Sequence, residues 1–359
     1  MIIVFGGFTL AVYDFQKDLI KKYGAEAFIT GRQLVDTKKE VLPWSPKLDI
    51  ILGGGVPEGS YVNVAGPKKC GKSLSTLHFA AKCQQRGRKV FYLNIEGRIK
   101  NRDLVGINGL DIDELGIMTS FKNANEAKIF SAEEYIDYAE KIIHNIPGAV
   151  IILDSVSQLV THKELSGDIE QENYAPGSKL MSRFLKRVSN VVPANNIIVM
   201  SILHVTSDFN RFGPGESVTG GKKIGYAADI ELVCKKFAFI RGKGLEDNDK
   251  EDKKKTLEPP WGQRVTWQTG STAIVAPGQQ IDSVIRYGTG IDEVTEIMEL
   301  AIQTGFIAKN GSWYNLEYLT DLGKEATKIQ GSEKLYNYLK DQPEEYELLN
   351  SEVRKMLIP

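Results

Sequence analysis

Cysteine is scarce in this chain of 359 residues: there are 3 in all, Cys70, Cys83 and Cys234, and none forms a CxxC pair. Only 4 histidines accompany them. A disulfide framework and a structural zinc site are therefore not expected, and a reducing intracellular compartment fits best. Net charge is missing too. Lys and Arg number 45 against 46 Asp and Glu, a formal charge of -1. Bulk charge thus announces no nucleic-acid partner, and any positive surface has to be local. No apolar run is long enough to cross a bilayer. The apolar start MIIVFGGFTLAVYDF carries no leading basic residues and passes into an amphipathic segment. That predicts a buried start or an interface arm rather than a signal peptide. What is present is an ordinary globular composition, 42% hydrophobic and 25% charged, ample for a real core.

Three regions are expected. In FQKDLIKKYG, Phe15, Leu19, Ile20 and Tyr23 share one helical face and Gly24 can stop the helix. This N-terminal helix and oligomerisation segment covers 1–33. From Ile50 to about Thr206, strand-like runs (YVNVA, VFYLNIE, AVIILD, IIVMSILHV) alternate with helical ones. Those helices are LSTLHFAAKCQQRG closed by Gly87, a run after a Ser131/Glu134 capping box, and one after Gly177 lined by Leu180, Phe184, Val188 and Val191. The alternation predicts crossover units and a mainly parallel sheet, an α/β core over 34–291. After Val233 the pattern changes. RGKGLEDNDKEDKKKTLEPP reads as an exposed loop, RVTWQ and TAIVA as late strands, and YGTGID as a polar turn. A small C-terminal domain, 292–359, opens with a helix carrying Val294, Ile297, Met298 and Ala301, and contains GSWY as a short strand or turn.

The stretch GPKKCGKS, 66–73, fits GxxxxGK[ST] and has a strand before it and a helix after it. Gly66, Pro67, Lys68, Lys69, Cys70 and Gly71 would turn backbone N–H groups toward phosphate oxygens. Lys72 would neutralise the β and γ phosphates, and Ser73 would coordinate magnesium. Because Cys70 lies within the loop, thiol modification could block it. Asp154 closes the apolar run AVIILD, where a carboxylate is costly unless paired or metal-bound. It suits the second magnesium-side ligand. Glu96 ends VFYLNIE, at the strand edge where open sheets collect ligands. It fits either a base that orients attacking water or a helix-capping glutamate. His204 ends another strand, as a γ-phosphate sensor or as a buried, satisfied histidine.

Two segments after strand ends do not read as packed structure: Thr161 to Gly177 and Thr206 to Gly221. The second is glycine-rich, with Arg211, Phe209 and Phe212, and Lys222 and Lys223 stand at its exit. Such a loop could wrap a phosphate backbone. The helix after the first segment carries Lys179, Arg183, Lys186 and Arg187, most of them on one side. That face is either a local DNA-binding surface, with salt-sensitive and largely sequence-independent contacts, or an ordinary solvated face.

LDIILGGGVPEGSYVNVAGPKKCGKS, NIEG, VIILDSVSQL, the ESVTGG loop and GSWY occur in the order found in the RecA recombinases, and the chain resembles that family over nearly its whole length. Its length and divergence point to a bacteriophage-type member, at work in the host cytoplasm. The resemblance implies a RecA-like P-loop ATPase core flanked by an N-terminal helix and a small α+β C-terminal domain. It implies ATP and Mg²⁺ as cofactors and a DNA-dependent ATPase. This would form a helical filament on single-stranded DNA and exchange strands with homologous duplex, without a membrane, and with a single-strand-binding or mediator protein as a further partner. In that family the water-activating glutamate falls on Glu96, the magnesium-side aspartate on Asp154, and the glutamine linking γ-phosphate to the second DNA loop on His204. Histidine there would add pH dependence. Gly220 and Gly221 match the DNA-gripping glycines and Phe212 the loop aromatic.

There are departures. An ungapped reading puts Ser271 and Ala273 where bacterial members bring two lysines to the neighbour's nucleotide. Asp229 and Glu231 lie where a basic residue would often serve that interface. No tyrosine clearly matches the adenine-stacking position, for which Arg102 is the candidate. A ring helicase motor with a related core and a weakly hydrolysing recombination mediator are the competing readings.

Overall fold

The computed structural model describes residues 10–24, 29–122, 126–166, 176–207, 216–219, 228–241, 259–270 and 272–358. The chain divides into two compact units, Met1–Glu40 and Val41–Pro359. In the first, α1 (Leu10–Tyr23) ends where Gly24, at φ 92°, lets its N–H reach Ile20 O at 2.9 Å. Phe15, Ile20 and Tyr23 on this helix are exposed. α2 (Gly31–Asp36) starts with a capping box between Thr30 and Gln33. The arm MIIVFGGF lies outside the described residues.

The second unit opens with β1 (Val41–Leu42), α3 (Pro46–Ile51) and β2 (Val56–Pro57). Ser45 caps α3 and Pro46 occupies its first turn, where a missing N–H costs nothing. Then follow β3 (Tyr61–Gly66), α4 (Lys72–Gln85), β4 (Val90–Asn94), α5 (Asn101–Val105), β5 (Leu115–Thr119) and the small ribbon β6 (Phe121–Lys122) with β7 (Ala127–Lys128). α6 (Ala132–Asn145) has the Ser131/Glu134 capping box. It leads to β8 (Val150–Asp154), α7 (His162–Ser166), α8 (Pro176–Val188), α9 (Val191–Ala194), β9 (Ile198–Ser207) and β10 (Glu216–Thr219). β11 (Ile230–Ile240), β12 (Gly262–Thr269), β13 (Gln280–Arg286) and β14 (Gly290–Ile291) complete the main sheet.

That sheet has ten strands, ordered β14-β13-β12-β11-β3-β9-β8-β4-β5, with β10 paired to β9. From β11 to β5 every pairing is parallel; β12 to β14 extend it antiparallel. The core strands are buried on both faces. Val62, Val64 and Ile152 pack toward α4, while Leu93, Ile151 and Leu153 pack toward α6 and α8. Parallel register brings strand ends together, Gly66 opposite His204 and Asn94 opposite Asp154. Ligands collect at this kind of edge. The C-terminal segment has a core of its own. α10 (Glu293–Thr304), the sheet β15 (Ile307–Asn310), β16 (Trp313–Leu316) and β17 (Thr327–Gln330), and then α11 (Ser332–Asp341) and α12 (Pro343–Leu357) enclose Ile297, Leu316, Leu335, Leu349 and Val353. The fold is thus α/β, with an N-terminal helix, a mixed but mainly parallel sheet and a small α+β C-terminal part.

Four local expectations fail. TAIVA is not a strand: Thr272 Oγ1 accepts from Ile274 N at 3.1 Å and Val275 N at 3.4 Å, a hydroxyl-stabilised turn. The strand falls instead on the more polar QIDSVIR. Val191 does not continue α8 but opens α9, because Pro193 cannot donate and crowds the preceding turn. Part of each expected loop is regular. Residues 162–166 are α7, braced by Thr161 and Glu164, and 216–219 pair antiparallel with the end of β9.

Candidate active site

The phosphate-loop glycines are required by close approach. A Cβ on Gly66 would fall 2.7 Å from Cys234 Cβ, and one on Gly71 would fall 2.4 Å from Ile285 Cδ1. Gly71 caps α4 at φ 92°. Lys68 and Lys69 are exposed beside the cavity, Pro67 is half-buried and Cys70 is buried. Lys72 is buried and donates to Gly66 O at 2.9 Å and Pro67 O at 2.7 Å, with Cys70 Sγ at 3.7 Å. Among the described residues no carboxylate is in contact with this ammonium. A buried cation with only neutral partners suits an anionic ligand.

Asp154 Oδ2 accepts from Ser73 Oγ at 2.7 Å and from the Tyr92 hydroxyl. Burial pushes the carboxyl pKa up, while the bonds from Ser73 and Tyr92 oppose this. Asp154 Oδ1 is buried without a hydrogen-bond partner. A hydroxyl–carboxylate pair with a spare buried lone pair fits Mg²⁺, which takes one or two protein oxygens and completes its shell with water and phosphate. The sheet sets Glu96 beside this pair through Glu96 N→Asp154 O at 2.9 Å. The Glu96 carboxylate lies 3.5 Å from His204 Nε2 and 3.2 Å from Arg98 Nε. His204 is buried, its N–H donating to Ser157 Oγ at 3.0 Å, and neither ring nitrogen has a hydrogen-bond partner. Burial first, then Lys72, lower the His204 pKa against the pull of Glu96 and Asp154. Any pH dependence from this ring is displaced below the ordinary histidine range. These side chains line one cavity of about 670 Å³, a size that fits a nucleotide.

Three of the cavity residues that sequence reasoning missed matter most here. Tyr92 reads as a core strand residue, yet its hydroxyl holds Asp154. Tyr287 donates to Gln263 Oε1 at 3.1 Å, leaving Gln263 Nε2 buried and unpartnered beside Gly71. No motif marks the last two; only the β12–β13 pairing brings them to the loop. Arg102 also lines the cavity, largely exposed and 3.7 Å from Asp103.

On α8 the four basic residues are exposed, while Met181, Phe184, Leu185 and Val188 are buried. Arg187 pairs with Glu140 of α6 at 2.8 Å, which gives it a structural task. Arg211, Phe212, Gly220, Gly221, Lys222, Lys223 and Ser271 lie outside the described residues. Asp229 anchors β3 by accepting from Tyr61 N at 2.8 Å, and its carbonyl accepts from Ala273 N at 2.9 Å. Among the described residues, no helix is long and apolar enough to cross a membrane.

A phosphate loop, a hydroxyl–carboxylate cation pair and a second carboxylate at the edge of a parallel sheet define a P-loop ATPase. The RecA N-terminal domain model matches residues 11–292, and the RecA C-terminal domain model matches 295–358. The chain belongs to the RecA family. It is 28% identical to Protein RecA of Acholeplasma laidlawii (strain PG-8A) over 346 residues, 94% of each chain. It is 28% identical to Protein RecA of Phytoplasma mali (strain AT) over 341 residues, 91% of each chain. It is 26% identical to Protein RecA of Aquifex pyrophilus over 339 residues, 94% of this chain and 88% of the other. The general activity is therefore that of the RecA-family recombination ATPases, which implies ATP with Mg²⁺, DNA and self-association.

Proposed function

We propose that this chain is a DNA-dependent ATPase that forms filaments on single-stranded DNA and exchanges strands with homologous duplex. The observation that carries this reading is the convergence of Lys72, Ser73, Asp154, Glu96 and His204 on one cavity in a chain that matches both RecA domains. Lys72 would bind the terminal phosphates. Ser73 and Asp154 would hold Mg²⁺, which supplies charge neutralisation when bound. Glu96 would orient and deprotonate the attacking water, and His204 would report the state of the site along β9 toward β10. Lys179, Arg183 and Lys186, with Arg211, Phe212, Gly220, Gly221, Lys222 and Lys223, would contact the DNA backbone. The exposed apolar residues of α1 supply a surface for the next subunit. Divergence from bacterial relatives, 28% identity or less among those compared, supports a phage-encoded member working in host cytoplasm.

The test is ATP turnover with and without single-stranded DNA across a salt series. Strong stimulation that fades as salt rises is expected. DNA binding without stimulated turnover would favour a mediator; neither binding nor stimulation would overturn the reading. Charge reversal at Lys179 and Arg183 together should weaken binding on all sequences alike, and should reduce the salt slope by about 1 to 2. An unchanged slope would return this helix to an ordinary solvated face.

A further inference from the structure

The phosphate loop is braced by sulfur. Cys70 is buried within it, and Cys234 stands on β11 where the β11–β12 register shifts between Cys234 and Lys236. The two side chains meet across Gly66. Gly66 keeps their segments close: a Cβ there would lie 3.0 Å from Cys70 Sγ and 2.7 Å from Cys234 Cβ. Lys72 Nζ lies 3.7 Å from Cys70 Sγ, and Cys234 Sγ has Lys236 O at 3.8 Å. A thiol pair beside a buried ammonium, inside a nucleotide loop, is more than close packing requires. We propose that Cys70 and Cys234 form a redox modification site, closing reversibly into a disulfide that disables the phosphate loop. The consequence for ATP rests on the nucleotide reading above; the bridge itself does not.

The surroundings divide the roles. The neighbouring Cys234 thiol is the largest influence on Cys70. Together with Lys72, and against burial, it brings the Cys70 thiol down to about 7. The Cys70 sulfur, then burial, pushes Cys234 up. Cys70 is the nucleophile and Cys234 the resolving thiol. With hydrogen peroxide as oxidant, the Cys70 thiolate takes HO from the peroxide and becomes a sulfenic acid. The hydroxide released is protonated to water. Cys234 then gives up its proton, and its sulfur displaces hydroxide from the sulfenic sulfur as a second water. Two thiols lose two electrons, and one peroxide becomes two waters. A sulfur–sulfur bond of about 2.05 Å is far shorter than any non-bonded sulfur contact, so closure draws residue 70 toward β11. The loop has little room to absorb that, since even an added Cβ on Gly66 or Gly71 would collide with a neighbour. Its N–H groups lose their common focus.

The full-length protein is reduced, treated with hydrogen peroxide, digested without reductant and mapped. Affinity for a fluorescent ATP analogue is titrated in parallel. The expected result is a peptide joining Cys70 to Cys234 and at least tenfold weaker nucleotide binding, both reversed by dithiothreitol. Cys234→Ser and Cys234→Ala should resist the loss of binding, and buried Cys83 serves as an internal control. Absence of the joined peptide, or a bridge that leaves affinity within twofold, would overturn the inference. Reduced protein that binds no ATP would instead sink the nucleotide reading, while the peptide map would still judge the bridge.

Discussion

Glu96→Gln should lower DNA-stimulated ATP turnover by about 10² to 10⁴-fold, the contribution of a positioned general base. ATP and DNA affinity should stay within about threefold, because the amide keeps the shape and loses only the basic oxygen. The backbone argument is that Glu96 N donates to Asp154 O at 2.9 Å, so the carboxylate is set by the same strand edge that sets the cation pair. Its side-chain neighbours are His204 Nε2 at 3.5 Å and Arg98 Nε at 3.2 Å. Arg98 is 70% exposed, and an ion pair at that exposure contributes no more than about 1 kcal/mol. Arg98→Ala should therefore cost less than about tenfold in turnover. If Glu96→Gln keeps more than a tenth of wild-type turnover, or if Arg98→Ala does equal harm, Glu96 is not the base.

What could be read in advance was whatever chemistry forces into a contiguous pattern. A phosphate loop must be local, so 66–73 was legible. Asp154, Glu96 and His204 were legible because each ends an apolar run, and parallel strands align their ends. Contacts made by pairing distant strands were not legible. Tyr92 reaches Asp154 across 62 residues, and Cys234 meets Cys70 only because β11 lies beside β3. Turn chemistry misled at TAIVA, where apolar residues decorate a hydroxyl-braced turn. The most hidden features are acidic residues on amphipathic helices. Glu293 and Glu296 fit a solvent face by pattern, yet Glu296 is fully buried and Glu293 pairs with His78 at 3.0 Å and Lys82 at 2.9 Å of α4. α10 is thereby tied to the helix that starts at the phosphate loop.

Those buried carboxylates predict a protein that is more stable in mild acid than at neutral pH. Glu296 Oε2 accepts from Lys47 N at 2.9 Å, while Oε1 has no hydrogen-bond partner. Burial, opposed by Lys47, pushes the carboxyl up from 4.5 to about 7. Between those values the folded chain holds a proton that the unfolded chain has released. The stability this confers is complete below the unfolded pKa and is lost as pH rises through about 7. The loss is about 3 kcal/mol. Asp49 acts in the same direction: burial, opposed by Arg354 and by Trp44 N–H, raises it to about 6. Glu293 has the opposite sign. Burial would raise it, but its bond to His78 and the charges of His78 and Lys82 outweigh that and hold it at about 2. Its contribution is present above the unfolded glutamate range and is lost only as pH falls through about 2. The neighbouring cluster of Lys47, Arg264 and Glu299 pairs internally, with Arg264 Nη2 at 3.0 Å from Glu299 Oε1. Denaturant unfolding at pH 5 and pH 7.5 should therefore favour pH 5. In Glu296→Gln, which keeps an acceptor for Lys47 N, the gap should shrink by about 2 kcal/mol. An unchanged gap in that variant would mean that Glu296 ionises in the folded state as freely as in the unfolded one, and that its burial is relieved by water.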